Sequence, residues 1–375
     1  MDFEWSEEDR ARYNEIYSST RLWPAPEPGF FTSAEWKLCA GLGLLGLSVP
    51  KEYGGEGCGF LATARAAEAF GRGAPDMGLV FAALAHLFAC GMAIAEFGDE
   101  GLRRELLPRL CSGGWVGANA ISEEGAGSDA TRLAARAVRA GEGYVLSGEK
   151  CFVSNGPVAD VFVVYAMTRP DLGYLGVSAF VVDRGTPGLV IGGPFGKLGL
   201  DRCPAGTLRL DGCVVPARRR LGDEGQGAAI FRGAMRWERT GLFAAYVGRL
   251  ERLAELSAGH ARTRVQFGRP IGSHQAVSHR LARMRVRLDA ARLLLWRACW
   301  LLEAGEPAGA EVAMAKLVIS EAAVESSMDA VRIFGGDGIR SDRGIERELR
   351  DAVPSLIFAG TPEMQLELIV RELGL

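Results

Sequence analysis

The sequence predicts a mainly α-helical protein with a central β domain. Apolar residues recur every three or four positions from residue 7 to about 110, alternate with polar ones from about 113 to 223, and return to helical spacing beyond Gly227. At 375 residues, the chain is long enough for two or three domains. The predicted domains are an N-terminal α-helical domain at 1–112, a middle β domain at 113–224 and a C-terminal four-helix bundle domain at 225–375.

The N-terminal part is predicted to form short helices separated by glycine and proline. Helical spacing occurs near 7–22, 33–45, 60–72, 77–97 and 100–110. The 19 residues from Met77 to Ala95 carry no charge, which is long enough for a membrane span. Acidic flanks, many small residues and the lack of a following Lys or Arg anchor predict instead a helix buried on all sides, with no membrane contact.

The middle and C-terminal parts have contrasting patterns. Six short runs, WVGANA, YVLSG, DVFVVYAMT, GVSAFVVD, GLVIG and TLRLDGCVV, are separated by Gly, Asp and Pro and predict a compact all-β unit. Four long helical stretches follow near 228–260, 273–305, 308–334 and 342–374 and predict the bundle. This order excludes the βαβ alternation of a doubly wound sheet.

Charge and composition exclude several classes of function. The balance of 43 Lys and Arg against 46 Asp and Glu argues against a nucleic-acid partner. The four histidines lack the i, i+4 spacing of a helical zinc site, so no metal is expected. Eight cysteines without a CxxC pair, and an acidic N-terminus without an apolar signal segment, predict reduced, buried thiols and a cytoplasmic location.

The segment GLGLLG (41–46) matches the GxGxxG pattern of dinucleotide-binding loops. In such loops the glycines follow a strand and open a helix. Here the segment continues a helical run from Trp36, so we expect close helix packing or a turn and no nucleotide site.

Five segments, in order over nearly the whole chain, resemble the acyl-CoA dehydrogenase superfamily of flavoproteins. They are LSVPKEYGGEG (47–57), ANAISEEGAGSDA (118–130), GEKCFVSNGPVAD (148–160), RTRVQFGRPIGSHQAV (262–277) and the stretch from VRIFGGDGI to RDAVPSLIFAGTPEMQ (331–365). The resemblance implies the acyl-CoA dehydrogenase-like fold, in which the middle domain is a β-barrel. It also implies FAD as the cofactor and a homotetramer.

A second set of segments is similar to the prolyl-carrier-protein dehydrogenases of pyrrole natural-product pathways. They are DMGLVFAALAHLFAC (76–90), MRWER (235–239), QAVSHRLARM (275–284), ARLLLWRACW (291–300) and SMDAVRIFGG (327–336). This similarity implies the oxidation of an L-prolyl thioester towards pyrrole-2-carboxyl. The substrate would be held on the phosphopantetheine of a peptidyl carrier protein.

The resemblance assigns residues to FAD. Ser122 would bond the edge of the flavin ring and Ser128 the phosphate, while Phe152 would cover the ring and Ser154 would lie against it. Small hydroxyls and glycine-exposed amides at strand-to-loop junctions suit these tasks. Read alone, the two hydroxyls at 122 and 128 would be turn serines and Phe152 a strand-face aromatic. The resemblance also places at the cofactor Phe267, Gln275, Gly335, Gly336 and Thr361.

Arg264 and Arg332 match positions that, in the family, reach the FAD pyrophosphate of a neighbouring subunit. A guanidinium suits this task because its planar fork bonds two phosphate oxygens at once. Position 332 departs from the wider family, which usually has Gln there. Read alone, each arginine would be a solvated helix charge.

The sharpest departure from the family concerns the catalytic base. Many members carry Glu immediately before a Gly-Thr pair, where this chain has Ala359. Another branch of the family takes its base from a Glu-Arg pair on the first long helix of the bundle, which matches Glu238 and Arg239. Read alone, Glu238 would be a surface carboxylate, but it precedes the uncharged run GLFAAYVG (241–248). We therefore predict that Glu238 removes the α-proton, while Glu363 occupies the first turn of the next helix.

Two other functions remain open from the sequence. The protein could oxidise another acyl thioester on CoA or an acyl carrier protein, or Ala359 could mark a non-catalytic scaffold that binds flavin or a carrier. A catalytic protein should purify yellow and bleach with its substrate. Three arginines, Arg218, Arg219 and Arg220, follow VVPA (214–217) and predict either a docking patch for an acidic carrier protein or a solvated charge run.

Overall fold

The computed structural model describes residues 4–374. Its N-terminal part is helical, and polar side chains cap the helices. Ser6, Asp76 and Asp99 each accept a hydrogen bond from a backbone N–H of the following first turn. The helices are α1 (Glu7–Thr20), α2 (Ser33–Gly41), α3 (Phe60–Gly73), α4 (Met77–Ala85), α5 (Met92–Phe97) and α6 (Glu100–Cys111).

Helices α4 and α5 form one continuous run, joined by a π-helical turn at His86–Gly91. The run Met77–Phe97 is long and apolar enough to cross a membrane, yet its most apolar stretch is entirely buried inside the protein. It is therefore the predicted core helix. The segment GLGLLG follows the end of α2 as a series of turns with Gly43 at φ 69°, which confirms the prediction of a turn there.

A single mixed sheet forms the middle of the chain. Its strands are β1 (Gly117–Ala120), β2 (Arg136–Ala140), β3 (Gly143–Ser154), β4 (Val161–Met167), β5 (Val177–Asp183), β6 (Leu189–Ile191), β7 (Ala205–Pro216) and β8 (Arg220–Leu221). The hydrogen-bonded order is β6-β7-β3-β2-β4-β5-β8, with β1 parallel to β4. The resemblance implies a β-barrel in this part of the chain. In the described residues, the strands instead form an open sheet with β6 and β8 at its two ends.

Strand β4 lies between two hydrophobic cores because both of its faces are buried. Phe162 and Val164 point into a core on the outer side of the sheet. Val163 and Tyr165 point to the opposite side, into the large core that the sheet shares with the helices. This placement explains the unbroken apolar run VFVVYAM, since a strand with one solvated face would alternate.

The C-terminal part is a helical bundle that differs from the prediction at its end. Its elements are α7 (Gly227–Trp237), a π-helical turn (Glu238–Leu242), α8 (Phe243–Thr263), a hairpin of β9 (Val265–Gln266) and β10 (Arg269–Pro270), α9 (Gln275–Glu303), α10 (Gly309–Phe334), α11 (Ile345–Ala352) and α12 (Pro362–Glu372). The single helix predicted near 342–374 is wrong. Pro354 lies in a 3-10 turn after α11, and Ala359 and Gly360 adopt positive φ, which a helix cannot contain.

Candidate active site

Glu238 begins the π-helical turn between α7 and α8. Its neighbour Trp237 donates a hydrogen bond from Nε1 to Glu96 Oε1 at 2.6 Å. Further along the turn, the Phe88 ring lies so close to Gly241 that an added β carbon would be 2.1 Å from a ring atom. These contacts fix both ends of the turn. Glu238 is thus positioned by packing, in a type of helical irregularity that is frequent at functional sites.

The Glu238 carboxyl group is buried without a hydrogen bond to satisfy it. The residue is 9% exposed, and its Oε1 has no hydrogen-bond partner. Burial raises the pKa of Glu238 to about 8, against a smaller lowering by the positive charge of Arg239. A carboxyl group with such a pKa can take a proton from a substrate near neutral pH.

Arg239 and Gln365 hold the loop that contains Ala359. Arg239 Nε donates to Ala359 O at 2.9 Å, and Gln365 Nε2 donates to Ala359 O at 3.3 Å and Gly360 O at 3.0 Å. Ala359 adopts φ 55° and Gly360 φ 96°, so this loop needs external support. Glu363 is exposed in the first turn of α12, as predicted.

Lys316 is a component of this region that sequence analysis missed. It is fully buried, and its Nζ donates to Leu356 O at 3.3 Å and lies 5.4 Å from the centre of the Phe243 ring. Burial lowers the pKa of Lys316 to about 8, and the charge of Arg239 lowers it further. The signal was present in the sequence, because Lys316 is the only charge in the run VAMAKLVIS.

Ser122, Phe152 and Ser154 are close together at the end of β3. Ser122 O accepts a hydrogen bond from Cys151 N at 2.9 Å, next to Phe152 on the same strand as Ser154. The pairing of β3 with β7 is irregular here, and Phe152 adopts φ 52°. Such a bulge re-aims a side chain, and the Phe152 ring is 70% exposed.

This arrangement fits a flavin. Phe152 offers an exposed flat apolar surface, with the half-buried Ser122 and Ser154 beside it. Ser128 lies in an exposed loop where β carbons added to Gly125 or Gly127 would meet no atom within 4 Å, so a phosphate could approach the backbone. The half-buried Thr361 precedes α12, and its side chain bonds to the Glu363 side chain instead of to a backbone N–H of the first turn.

Helix α4 connects the Phe152 region with the loop at Ala359. Asn155 Nδ2 donates to Ala82 O at 2.9 Å, immediately after Ser154 on the chain. The adjacent Phe81 packs against Phe358 with a ring-centroid distance of 4.8 Å. The chain next to Ser154 and the loop at Ala359 therefore both contact the same turn of α4. Asn155 is a further residue that the sequence analysis did not single out.

The remaining FAD-assigned residues lie together at one end of the bundle. Phe267 is at the tip of the β9–β10 hairpin, 94% exposed and at φ 53°, and Arg264 is exposed at its base. The ring of His260, at the end of α8, stacks on Phe334 at 4.2 Å and joins the hairpin base to the end of α10. The exposed members of this group are Gln275, Arg332, Gly335 and Gly336.

The structure does not support the predicted three-arginine docking patch. Arg219 is buried and forms ion pairs with Glu105 at 2.6 Å and Asp183 at 3.0 Å. Arg220 is partly buried and donates to the hydroxyl of a buried tyrosine at 2.8 Å. Only the Arg218 side chain, 67% exposed, is directed to solvent. Two of the three arginines are thus engaged inside the protein and are not available to a docking partner.

Family models match along nearly the whole chain. The acyl-CoA dehydrogenase N-terminal domain matches residues 14–114, the middle domain 118–213 and the C-terminal domain 225–374. The chain therefore belongs to the acyl-CoA dehydrogenase family and is an FAD-dependent oxidoreductase.

Within this family, the chain is similar to proteins of one narrower class, the prolyl carrier-protein dehydrogenases. The chain is 53% identical over 347 residues to an L-prolyl-[peptidyl-carrier protein] dehydrogenase of Pseudomonas fluorescens, covering 92% of this chain and 91% of the relative. It is 44% identical over 340 residues to a protein of the same name from a Serratia species, covering 91% and 88%. The solved structure "PigA with FAD and proline" is 40% identical, with a TM-score of 0.95 over 100% of this chain and 99% of that chain.

Proposed function

We propose that this protein dehydrogenates an L-prolyl group held as a thioester on the phosphopantetheine of a peptidyl carrier protein, towards pyrrole-2-carboxyl. The observation that carries the proposal is Glu238, a buried carboxyl group without a hydrogen-bond partner, beside a loop that has Ala359 where a base is usual in the family. The similarity to prolyl carrier-protein dehydrogenases supports the choice of substrate.

Ser122, Ser128, Phe152, Ser154 and Thr361 would hold FAD. When bound, FAD supplies the acceptor for the hydride that leaves the substrate. Phe152 would pack its exposed ring against the flavin, while the serine hydroxyls would donate to polar atoms of the cofactor. These contacts require a surface from which water is excluded. The buried apolar side chains of the neighbouring turn of α4 would contribute to such a surface.

Glu238 would take the α-proton of the thioester. The thioester carbonyl makes that proton removable once hydrogen bonds hold the negative charge that develops on the oxygen. Because Glu238 Oε1 is buried without a hydrogen-bond partner, the negative charge of the carboxylate is poorly stabilised. Protonation of Oε1 would remove that charge, so the carboxylate would accept the α-proton there. Arg239 stays engaged with Ala359 O and keeps the loop beside the base in place.

The proposal is tested by anaerobic mixing of the holoenzyme with carrier protein loaded with prolyl, with other aminoacyl groups or with acyl groups. Prolyl carrier protein should bleach the flavin absorbance, and mass spectrometry should show the loss of hydrogen from the prolyl group. Faster bleaching by an acyl-CoA, or by another loaded carrier, would reassign the substrate. No bleaching by any thioester would favour a non-catalytic scaffold.

We propose further that the protein is a homotetramer in which Arg264 and Arg332 reach FAD of a neighbouring subunit. The exposure of Arg264 and of the Phe267 ring on a hairpin tip supports this, since a large apolar ring in water, held out by a strained backbone, is typical of a binding surface. Arg264→Ala should release flavin, because a buried pyrophosphate loses a charged partner. Arg139→Ala, at an exposed position of β2, is the control. Full FAD occupancy and unchanged size of Arg264→Ala in gel filtration would contradict this assignment.

A further inference from the structure

Tyr165 differs from the other described buried tyrosines in its hydroxyl group. Its side chain is fully buried, and its Oη has no hydrogen-bond partner. A buried hydroxyl without a partner has lost its hydrogen bonds to water without replacement, so a fold retains one only when another gain offsets that cost. The described buried tyrosines whose hydroxyls do have partners are Tyr13, Tyr53, Tyr144 and Tyr246.

Tyr165 lies on the side of the sheet that faces Glu238. The alternation of β4 directs its ring towards the helices. There the ring meets Phe231 edge to face at 5.9 Å. Phe231 precedes Glu238 by seven residues on the same helical run, which is about two turns, so both side chains share one face. The negative charge of Glu238 also contributes to raising the pKa of Tyr165, although burial is the main cause.

Two buried polar groups without hydrogen-bond partners thus occur in one apolar region: a hydroxyl, and a carboxyl oxygen on Glu238. Elsewhere in the described chain, the sheet pairs its buried tyrosine hydroxyl at Tyr144 with both Glu224 and Arg220. The region around Glu238 is therefore one where a bound molecule can supply the missing polar partners. In a prolyl thioester, the ring nitrogen is bonded directly to the carbon that loses its proton.

We propose that Tyr165 determines substrate specificity by a hydrogen bond between its Oη and the ring nitrogen of the prolyl group. A phenol hydroxyl can donate to the lone pair of a neutral amine or accept from its N–H, so the pairing does not depend on the protonation state of the nitrogen. Binding pockets that hydrogen-bond a substrate group reject analogues that lack it far more strongly than apolar pockets do. This inference rests on the proposed function.

The test compares two ligands that differ at one position. They are pantetheine amides of proline and of cyclopentanecarboxylic acid, which has carbon in place of the ring nitrogen, and their dissociation constants are measured by calorimetry on the holoenzyme. Wild type should bind the prolyl amide at least about tenfold more tightly. Tyr165→Phe should lose most of this preference while keeping its FAD. Tyr144→Phe removes a hydroxyl from the same sheet and should keep the preference.

The outcomes separate this inference from the proposed function. Equal binding of the two amides by wild type, or an undiminished preference in Tyr165→Phe, would overturn the role of Tyr165 even if prolyl carrier protein bleaches the flavin. An equal loss of affinity for both amides would also overturn it, because the hydroxyl would then act on a part common to both. If prolyl carrier protein fails to bleach wild type, the proposed function fails first and this inference with it.

Discussion

Glu238 and Glu123 are two buried glutamates in opposite surroundings. Glu123, in the loop after β1, accepts hydrogen bonds from Lys150 Nζ at 2.6 Å and from the backbone N–H groups of Ala134 at 2.6 Å and Ala135 at 3.1 Å. Glu238, in the helical region, has Oε1 buried without any partner. Both residues are less than a tenth exposed.

The difference shows how burial can serve two purposes. A carboxylate that is paired with a cation and hydrogen-bonded to the backbone fixes the chain around it, which suits Glu123 at the loop leading to Ser128. A carboxyl group that is buried without partners prefers its protonated form, which suits a group that must accept a proton. We therefore expect Glu123 to matter for the stability of the fold and Glu238 for the rate of the reaction.

The largest expected effect follows from removing the basicity of Glu238. Glu238→Gln keeps the shape of the side chain, so the protein should fold, retain FAD and bind loaded carrier protein. Turnover should fall roughly a hundred- to ten-thousand-fold, the usual contribution of a positioned general base. Stopped-flow measurement of flavin bleaching by prolyl carrier protein checks this.

The matched control for that variant is Glu363→Gln, since Glu363 is exposed near the same loop. Glu363→Gln should lower turnover far less than Glu238→Gln does. Bleaching of Glu238→Gln at a near wild-type rate would transfer the role of base to another residue, and a large loss in Glu363→Gln would point to Glu363.

The next largest effect should appear at the paired glutamate. Lys150→Met leaves Glu123 buried without its cation, and breaking a buried ion pair on one side costs about 3–5 kcal/mol of the free energy of unfolding. Glu123→Gln combined with Lys150→Met should recover part of this loss, because no buried charge then remains. Urea unfolding of wild type and of the two variants measures these differences in the free energy of unfolding. Equal stability of wild type and Lys150→Met would remove the contrast between the two glutamates.

A larger part of the fold than of the candidate site could be predicted from the sequence. Periodicity was enough for the core helix Met77–Phe97 and for the change from helix to strand, because both depend on local burial patterns. The break at Pro354 to Gly360 was not foreseen, although Pro354 and Pro362 are visible in the sequence. The helical spacing of the apolar residues near 342–374 was given more weight than these two prolines.

The site could be predicted only in part because its chemistry depends on partners distant in the chain. The resemblance, together with the apolar run that follows Glu238 in the sequence, pointed to this residue, and the structure shows the burial that raises its pKa to about 8. Nothing in the sequence shows that Arg219 pairs with Glu105 and Asp183, residues 114 and 36 positions away. Nor does it show which of several buried tyrosines lacks a partner, since that is a property of the packed fold.

A further effect is expected in the dependence of stability and of rate on pH. Because the pKa of Glu238 is raised from 4.5 to about 8, the folded protein binds a proton there that the unfolded chain has lost, and stability falls as pH rises between those values. Relative to Glu238→Gln, wild type should therefore lose stability from pH 4.5 to 8 and change little above it. Over the same range kcat/KM for prolyl carrier protein should rise about tenfold per pH unit below the pKa. A flat profile from pH 6 to 8 would show that Glu238 is not the titrating base.

The smallest effect is expected at Arg218, where docking of an acidic carrier protein can still be tested. Reversing all three arginines would place an acid at Arg219 beside Glu105 and Asp183 and would damage the fold. Arg218→Glu alone leaves those ion pairs intact, because Arg218 is exposed and 3.9 Å from Glu105. It should slow bleaching by prolyl carrier protein about two- to threefold at low salt, through association, and the difference should vanish as salt screens the charges. Bleaching by prolyl pantetheine, which lacks the protein surface, should not change. Equal rates at low salt would remove Arg218 from the docking surface and leave the contacts around Glu238 as the main basis for recognising the substrate.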